Sequence, residues 1–211
     1  MYMPEHHTQK FPTYNSARYA YAIHLLGKAV EKSSPHDTTC CEGWNVIDVI
    51  EHAEMVLSMV DNINREDSSK GDQPATGTFI AKLKDEIEQR YTQDDLNQQV
   101  ASPFGDMTLD EFLGIIWIDT FTHAWDIADA SSVDHGIPSE MAIEAYKIMQ
   151  PRSESMRGPG RFNDPCTTTS DDAVEQFMAF AGRTSVNATN QSTRIGSVSY
   201  THLRAHETRY D

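Results

Sequence analysis

The sequence predicts an all-α fold, in which four long helices form a bundle and two short helices follow. Apolar residues recur at spacings of three and four along four long segments, as expected for helices that bury one face. Helix-capping residues precede two of these segments. No alternating run of β-branched and aromatic residues bounded by turn residues occurs before residue 195, so strands are not expected there.

The first two helices are predicted from about Asn15 to Lys32 and from Val46 onward. The apolar stripe of the first helix is Tyr19, Ile23, Leu26 and Val30. Pro35 ends this helix. Asn45 is the predicted N-cap of the second helix, and Asp48 is its capping-box partner. The apolar stripe of the second helix is Val46, Val49, Ile50, Ala53, Val56, Leu57 and Val60.

The third and fourth helices follow a polar segment, Asn64 to Pro74, whose composition predicts a loop. The apolar residues of the third helix are Phe79, Ile80, Leu83, Ile87 and Tyr91. Thr108 is the predicted N-cap of the fourth helix, and Glu111 completes a capping box. The stripe of the fourth helix is Leu109, Phe112, Leu113, Ile116, Thr120, His123 and Ile127.

Two short helices are predicted near the C-terminus. The first runs from Ser139 to Met149 and is stopped by Pro151. The second runs from Ser170 to Ala181 and is closed by Gly182 as a C-terminal cap.

The charge balance excludes one class of partner. The 17 Lys and Arg residues stand against 32 Asp and Glu residues, which gives a net charge of −15. Nucleic-acid binding depends on clustered basic residues, so no nucleic-acid partner is expected. No segment approaches the roughly 18 consecutive apolar residues of a membrane span, and the first 16 residues lack the pattern of a signal peptide. We therefore expect a cytoplasmic protein with no membrane partner.

The three cysteines fit a reducing compartment, because their number is odd and Cys40 and Cys41 are adjacent. Cys41 and Cys166 are expected to be small buried hydrophobic residues. The CxxC spacing that is typical of thiolate metal sites is absent, so no cysteine metal site is expected.

Polar residues interrupt the apolar faces of the second and fourth helices. Asp119 and His123 lie four residues apart, so they can bind one ion from the same side while His52 approaches from the facing helix. Two histidines and one carboxylate leave a coordination position open, as in catalytic metal sites. From spacing alone, the alternative is that these are hydrogen-bonded core histidines.

Two acidic residues are candidate outer partners of this site. Asp48 lies four residues before His52 and could accept its second ring N–H, or it could serve only as a cap. Asp126 lies three residues after His123 and could orient a side chain near the metal, or contact a neighbouring helix instead. Five other histidines lie in terminal, loop or unpaired contexts and are not expected to bind metal; they are His6, His7, His24, His36 and His135.

Four segments carry a resemblance to a known family. TTCCEGWNVIDVIEH (38–52) resembles the opening TPCxGWTVxDLxxH of the mycothiol-dependent maleylpyruvate isomerase-like metal-binding family, in the DinB/YfiT-like superfamily. SPFGDMTLDEFLGIIWIDTFTHAWDIADA (102–130) is similar to its second signature, an FG segment followed by DxxxHxWDLA. RGPGRF (157–162) and DDAVEQFMAFAGR (171–183) match its closing segments, so the resemblance covers most of residues 15–185.

The resemblance implies a DinB-like four-helix bundle that binds a divalent metal, usually zinc, through His52, Asp119 and His123. Iron, nickel or manganese would also suit these donors. Family members of known chemistry use the open position to activate a low-molecular-weight thiol, which attacks a small electrophilic substrate. Arg157 and Arg161 are candidates for holding an anionic substrate or thiol, with pairing to surface acids as the alternative.

The chain departs from the isomerase itself in two ways. That enzyme has Glu where Asp119 stands here, and it carries a separate C-terminal domain that we do not expect in this protein. The resemblance therefore implies the metal site more strongly than the isomerase substrate. Two functions are therefore expected as alternatives. The first is a thiol-dependent isomerase or S-transferase, and the second is a non-catalytic metal-binding or stress-response bundle. In either case we expect a monomer or a homodimer.

The last residues are set apart from the domain. VSYTHLRAHETRYD (198–211) resembles translated sequencing-adapter read-through, so its two histidines, His202 and His206, are not expected to be ligands. We expect a flexible N-terminus over 1–14, one domain over 15–185, and a disordered tail over 186–211.

Overall fold

The computed structural model describes residues 12–63, 76–158 and 162–187 of the chain, which are mainly helical as predicted. The helices are α1 (Asn15–Lys32), α2 (Val46–Asn62), α3 (Thr78–Glu86), α4 (Gln93–Leu96), α5 (Leu109–Ala130), α6 (Ser139–Met149) and α7 (Ala173–Phe180). A hairpin of β1 (Gln99–Ser102) and β2 (Gly105–Thr108) precedes α5. None of the described helices combines the length and the apolar character that crossing a membrane requires.

Four of the helices enclose the core. α1 packs along α5, α5 contacts α2, α2 contacts α3, and α3 contacts α1, so these contacts form a closed cycle. The four helices therefore pack around one shared core. The two short C-terminal helices, α6 and α7, pack against each other.

α5 is the central helix of the core. It is buried on nearly all sides between Leu109 and Ala128, which is typical of a helix that is apolar around its whole circumference. Gly114 allows α1 to approach, because a Cβ at this position would lie 2.9 Å from Nδ2 of Asn15. The rings of Trp117 and Phe121 stack with their centroids 5.5 Å apart.

The hairpin corrects the expectation that no strand occurs before residue 195. β1 and β2 pair antiparallel, with Gln99 opposite Thr108 and Ser102 opposite Gly105. Gly105 adopts a φ of 106°, which other residues rarely adopt, and Oγ of Ser102 donates a hydrogen bond to its carbonyl. Val100 is the one buried residue of the two strands. Backbone pairing and the turn therefore form this hairpin without an alternating apolar pattern.

Capping residues determine where the helices begin and end. The predicted capping boxes form at the starts of α2, with Asn45 and Asp48, and of α5, with Thr108 and Glu111. Gly182 follows the last turn of α7 with a φ of 77°, which confirms its predicted role as a C-terminal cap.

Two helix boundaries differ from the prediction. α3 ends at Glu86 and is followed by a 3-10 turn, so Tyr91 lies beyond the helix. α7 begins at Ala173 rather than at Ser170, because the carboxylate of Asp172 accepts hydrogen bonds from the backbone N–H groups of its first turn.

Several expectations fall wholly or mainly outside the described residues. They are the flexible N-terminus over 1–14, the loop over 64–74, the substrate candidate Arg161, and the tail over 186–211. The described chain nevertheless continues beyond the predicted domain end at residue 185. The backbone N–H of Val186 donates to Oδ2 of Asp129 at 2.8 Å, which attaches this segment to the end of α5.

Candidate metal centre

His52, Asp119 and His123 come together between α2 and α5. One ligand atom from each residue lies within 4.8 Å of those of the other two. Nε2 of His123 is 3.6 Å from Oδ1 of Asp119, and the rings of His52 and His123 meet edge to face with their centroids 5.0 Å apart. The three residues predicted as metal ligands therefore share one site.

The two helices set this geometry. Asp119 and His123 are one turn apart on α5, so their side chains lie side by side. Val49 and Ala53, on either side of His52 along α2, are buried. His52 therefore lies at the edge of the α2 face that packs on α5.

The site lies at the boundary between core and solvent. The His123 side chain is 6% exposed, whereas that of Asp119 is 37% exposed. His52 is half-buried, and the ring of Trp44 packs beside it with a centroid distance of 5.3 Å. An external ligand can therefore approach from the side of Asp119, while His123 is anchored in the core.

Asp126 holds the ring of His123 in position. Its Oδ2 atom lies 3.0 Å from Nδ1 of His123, and both side chains are buried. An ionised carboxylate only accepts hydrogen bonds, so Nδ1 carries the proton and Nε2 presents its lone pair on the side of Asp119. Metal-binding histidines are commonly oriented in this way by a carboxylate.

Arg183 compensates the charge of Asp126. Asp126 is completely buried, and its carboxylate lies 3.4 Å from Nε and 3.5 Å from Nη2 of Arg183. Burial would raise the pKa of Asp126, but Arg183 and His123 outweigh it and hold that pKa well below its usual range. Burial would lower the pKa of Arg183, but Asp126 outweighs it and raises that pKa. This buried pair is therefore ionised at neutral pH.

The two histidines differ in their tendency to protonate. Burial, and then the neighbouring His123, lower the pKa of His52. Burial would also lower the pKa of His123, but Asp119 and Asp126 outweigh it and raise that pKa. At neutral pH His52 is therefore a neutral imidazole, and any proton held by this pair resides on His123.

Two cysteines contact Asp126. Sγ of Cys40 lies 3.2 Å from Oδ1, and Sγ of Cys41 lies 3.6 Å from Oδ2. A hydrogen bond between the thiols, and then burial, raise the pKa of Cys40; the same hydrogen bond outweighs burial at Cys41 and lowers its pKa. The expectation that Cys41 and Cys166 are buried hydrophobic residues is wrong, because both are only partly buried.

Sequence reasoning did not connect Cys40, Cys41 and Arg183 with this centre. They lie 86, 85 and 57 positions from Asp126, so no helical period relates them. The only sequence signals were their places in the first and last of the four family-like segments.

Asp48 acts as a capping residue. Its Oδ2 atom accepts a hydrogen bond from the backbone N–H of Asn45 at 2.8 Å. No hydrogen bond joins it to His52 within the described part of the chain. Of the two roles considered for Asp48, the structure shows the cap.

Arg157 donates hydrogen bonds to two backbone carbonyls. Its Nη2 atom donates to the carbonyl of Phe180 at 2.9 Å, Nη1 donates to the carbonyl of Asn163, and the guanidinium lies 5.0 Å from the centroid of the Phe180 ring. Among the described residues, neither predicted role of Arg157 is shown, and substrate binding stays a prediction.

The donor set fits a divalent metal. Zinc bonds of about 2.0–2.2 Å to nitrogen and oxygen place two donors of a tetrahedral site about 3.4 Å apart. The distance between Nε2 of His123 and Oδ1 of Asp119, 3.6 Å, is close to this value. Imidazole and carboxylate donors suit zinc, and also iron, nickel and manganese. His52, Asp119 and His123 could therefore hold such an ion and leave a position open.

Comparison with known proteins identifies two distant relatives. Both are curated Mycobacterium tuberculosis proteins, one from strain CDC 1551 / Oshkosh and one from strain ATCC 25618 / H37Rv, and each is described as an uncharacterized protein. Each is 29% identical to this chain over 160 aligned positions, which cover 69% of the chain and 83% of the relative. No family model and no solved structure matches the chain.

Proposed function

We propose that this protein binds a divalent metal ion, with zinc as the first candidate, through His52, Asp119 and His123. The convergence of these three donors from α2 and α5 supports the proposal. The 3.6 Å between Nε2 of His123 and Oδ1 of Asp119 is long for a direct hydrogen bond, but it suits two ligands of one ion. Asp126 accepts a hydrogen bond from the other ring nitrogen of His123, as in carboxylate–histidine–metal sites.

We further propose that the site supports a thiol-dependent reaction, either isomerisation or S-transfer on a small electrophile. A divalent metal bound here would deprotonate a low-molecular-weight thiol and present it as a nucleophile. The partly exposed Asp119 and His52 leave room for such a thiol on the solvent side, and Asp126 keeps the His123 ring from turning. Thiol chemistry also fits the proposed cytoplasmic location, where thiols stay reduced.

The metal is tested by elemental analysis after loading with zinc and desalting. We expect His52→Ala combined with Asp119→Ala to lose one equivalent relative to the wild-type protein. His24→Ala is the matched control, because His24 pairs with Glu88 at the surface and should keep the full content. Unchanged zinc content in the double variant would refute the site.

The reaction is tested separately on the metal-loaded protein. A panel of small electrophiles is offered together with mycothiol, bacillithiol, glutathione or cysteine, and thiol consumption is followed. Turnover that disappears in the His52→Ala and Asp119→Ala double variant supports the enzyme. Stoichiometric metal without turnover of any electrophile would instead favour the non-catalytic metal-binding bundle.

A further inference from the structure

We propose that Cys40, Cys41 and Asp126 form a second metal site, distinct from the first, which takes a soft divalent cation such as Cd²⁺ or Zn²⁺. The two thiols and the carboxylate offer three donor atoms that all lie within 4.8 Å of one another. None of these residues belongs to the site of His52, Asp119 and His123. This second site lies behind His123, on the side of its Nδ1 atom.

The distances between the donors match those of a thiolate site. Zinc bonds of about 2.3 Å to sulfur and about 2.1 Å to oxygen place these two donors about 3.6 Å apart in a tetrahedron. The Cys40 sulfur lies 3.2 Å from Oδ1 of Asp126, and the Cys41 sulfur lies 3.6 Å from Oδ2 of the same carboxylate. A cation between them therefore needs only small side-chain movements.

A compact turn presents the two thiols. The backbone N–H of Thr39 donates to the carbonyl of Trp44 at 3.1 Å, and the N–H of Trp44 donates to the carbonyl of Cys41 at 2.9 Å. Oγ1 of Thr39 closes the turn by accepting from the N–H of Cys41 at 3.1 Å. This segment is therefore already ordered in the metal-free fold. Metal binding then loses little conformational entropy, which favours it.

The charges balance when a divalent cation is bound. Two thiolates and the carboxylate of Asp126 contribute three negative charges, and the neighbouring Arg183 contributes one positive charge. A divalent cation brings this partly buried cluster to neutrality, which favours placing the buried carboxylate of Asp126 beside two thiolates. The thiols release their protons to solvent as the sulfur–metal bonds form, and no oxidation or reduction takes place.

The two sites differ in the metals that they prefer. Thiolate ligands favour soft cations, whereas imidazole and carboxylate ligands accept harder ones. They can also be filled independently, because Asp126 has one oxygen, Oδ1, that His123 does not use, although Sγ of Cys41 lies 3.6 Å from the other oxygen, Oδ2. Oδ1 faces Cys40, while Oδ2 accepts from Nδ1 of His123.

Cadmium titration of the reduced full-length protein tests the proposal. Cadmium bound to thiolate gives an ultraviolet charge-transfer band that nitrogen and oxygen ligands do not give. We expect this band to saturate at one equivalent of thiolate-bound cadmium. Alkylation followed by mass spectrometry should show that cadmium protects Cys40 and Cys41 and leaves Cys166 reactive, a result that requires no variant.

Four variants assign the band to the proposed ligands. Cys40→Ser with Cys41→Ser should abolish it, and Cys41→Ser alone should weaken cadmium binding by at least about tenfold. Cys166→Ser is the matched control and should keep the band. His52→Ala with Asp119→Ala should also keep it, whether or not that variant loses zinc, so the two sites are tested independently.

Three results would overturn the second site. They are absence of the band in the wild-type protein, its persistence without Cys40 and Cys41, and its loss in the His52→Ala and Asp119→Ala variant. The last result would mean that the thiols and histidines bind one shared ion.

Discussion

Nδ1 of His123 lies 3.0 Å from Oδ2 of Asp126, and the opposite nitrogen of the same ring lies 3.6 Å from Oδ1 of Asp119. Asp126 is in turn paired with Arg183. These four side chains form a continuous row of polar contacts that runs from the buried pair of Arg183 and Asp126 to the partly exposed Asp119. A substitution at the buried Asp126 should therefore alter metal binding at His123 and Asp119.

Replacement of Asp126 by Asn should weaken zinc binding at the site of His52, Asp119 and His123 by about 10–100-fold. The amide no longer strengthens the basicity of His123 or selects its tautomer. Competition with a chromophoric chelator measures the affinity. Asp129→Asn is the matched control, because Asp129 lies one turn further along α5 and binds the N–H of Val186 instead. Equal losses in both variants would contradict this role of Asp126.

Acid should destabilise the metal-free protein through Asp126. Its folded pKa lies below the unfolded value of about 3.9, so its stabilisation is complete above about pH 4 and is lost as the pH falls through the folded pKa. At neutral pH, Asp126→Asn should lower the free energy of unfolding by about 3–5 kcal/mol, because it leaves Arg183 without its charge partner.

Urea denaturation of the wild-type and Asp126→Asn proteins at several pH values checks this expectation. The difference between the two should narrow below about pH 4. The exposed Asp106 supplies the control, because Asp106→Asn should change stability by less than about 0.5 kcal/mol. A difference that stays constant through the acid range would show that Asp126 is not the titrating group.

Zinc affinity should rise with pH because the metal competes with a proton on His123. Its carboxylate neighbours raise the pKa of His123 above the unfolded value of about 6.5. In the metal-free protein, the protonated ring therefore stabilises the fold below about pH 6.5, and this contribution is lost as the pH rises through the folded pKa. Zinc needs the neutral ring, so its binding has the opposite pH dependence.

Zinc titrations between about pH 5.5 and 8 test this competition across the range where histidine ionises. His24→Ala should show the same profile as the wild-type protein, since His24 lies at the surface with Glu88. A flat profile over this range would indicate that Nε2 of His123 is not a ligand.

Phe121→Ala should lower the free energy of unfolding by about 3–5 kcal/mol. Phe121 is fully buried, and its ring packs between those of Trp117 and Phe177, so truncation leaves a cavity. Phe104→Ala is the matched control: Phe104 is 51% exposed, and the change should cost less than about 1 kcal/mol. Chemical denaturation measures both, and similar values would place Phe121 outside the core.

The parts of the fold that depend on local sequence were predictable. Helix starts at Asn45 and Thr108 follow from capping side chains three residues apart, and Asp119 and His123 follow from the period of one helix. The hairpin was not predictable from alternation, because its strands hold a single buried residue, Val100. Its stability comes from backbone hydrogen bonds and the turn at Gly105, which leave little trace in hydrophobicity.

Only those residues of the metal centre that lie on helices were predictable from the sequence. His52 was placed correctly because α2 faces α5, as the two apolar stripes imply. Cys40 and Arg183 lie on irregular segments, and their positions beside Asp126 depend on how loops return to the bundle. No periodicity encodes such contacts, so only a three-dimensional structure reveals them.

The turn at Gly182 has a consequence for how the protein is made. A side chain at this position would meet Asn163, since a Cβ would lie 2.6 Å from that residue's Cβ, and the tight backbone there brings Arg183 to Asp126. The ribosome releases α2 and α5 well before residue 183. Until then Asp126 lacks its cationic partner and is costly to bury. The interior around His123 therefore becomes complete only after the described helices α1 to α7 have all been synthesised.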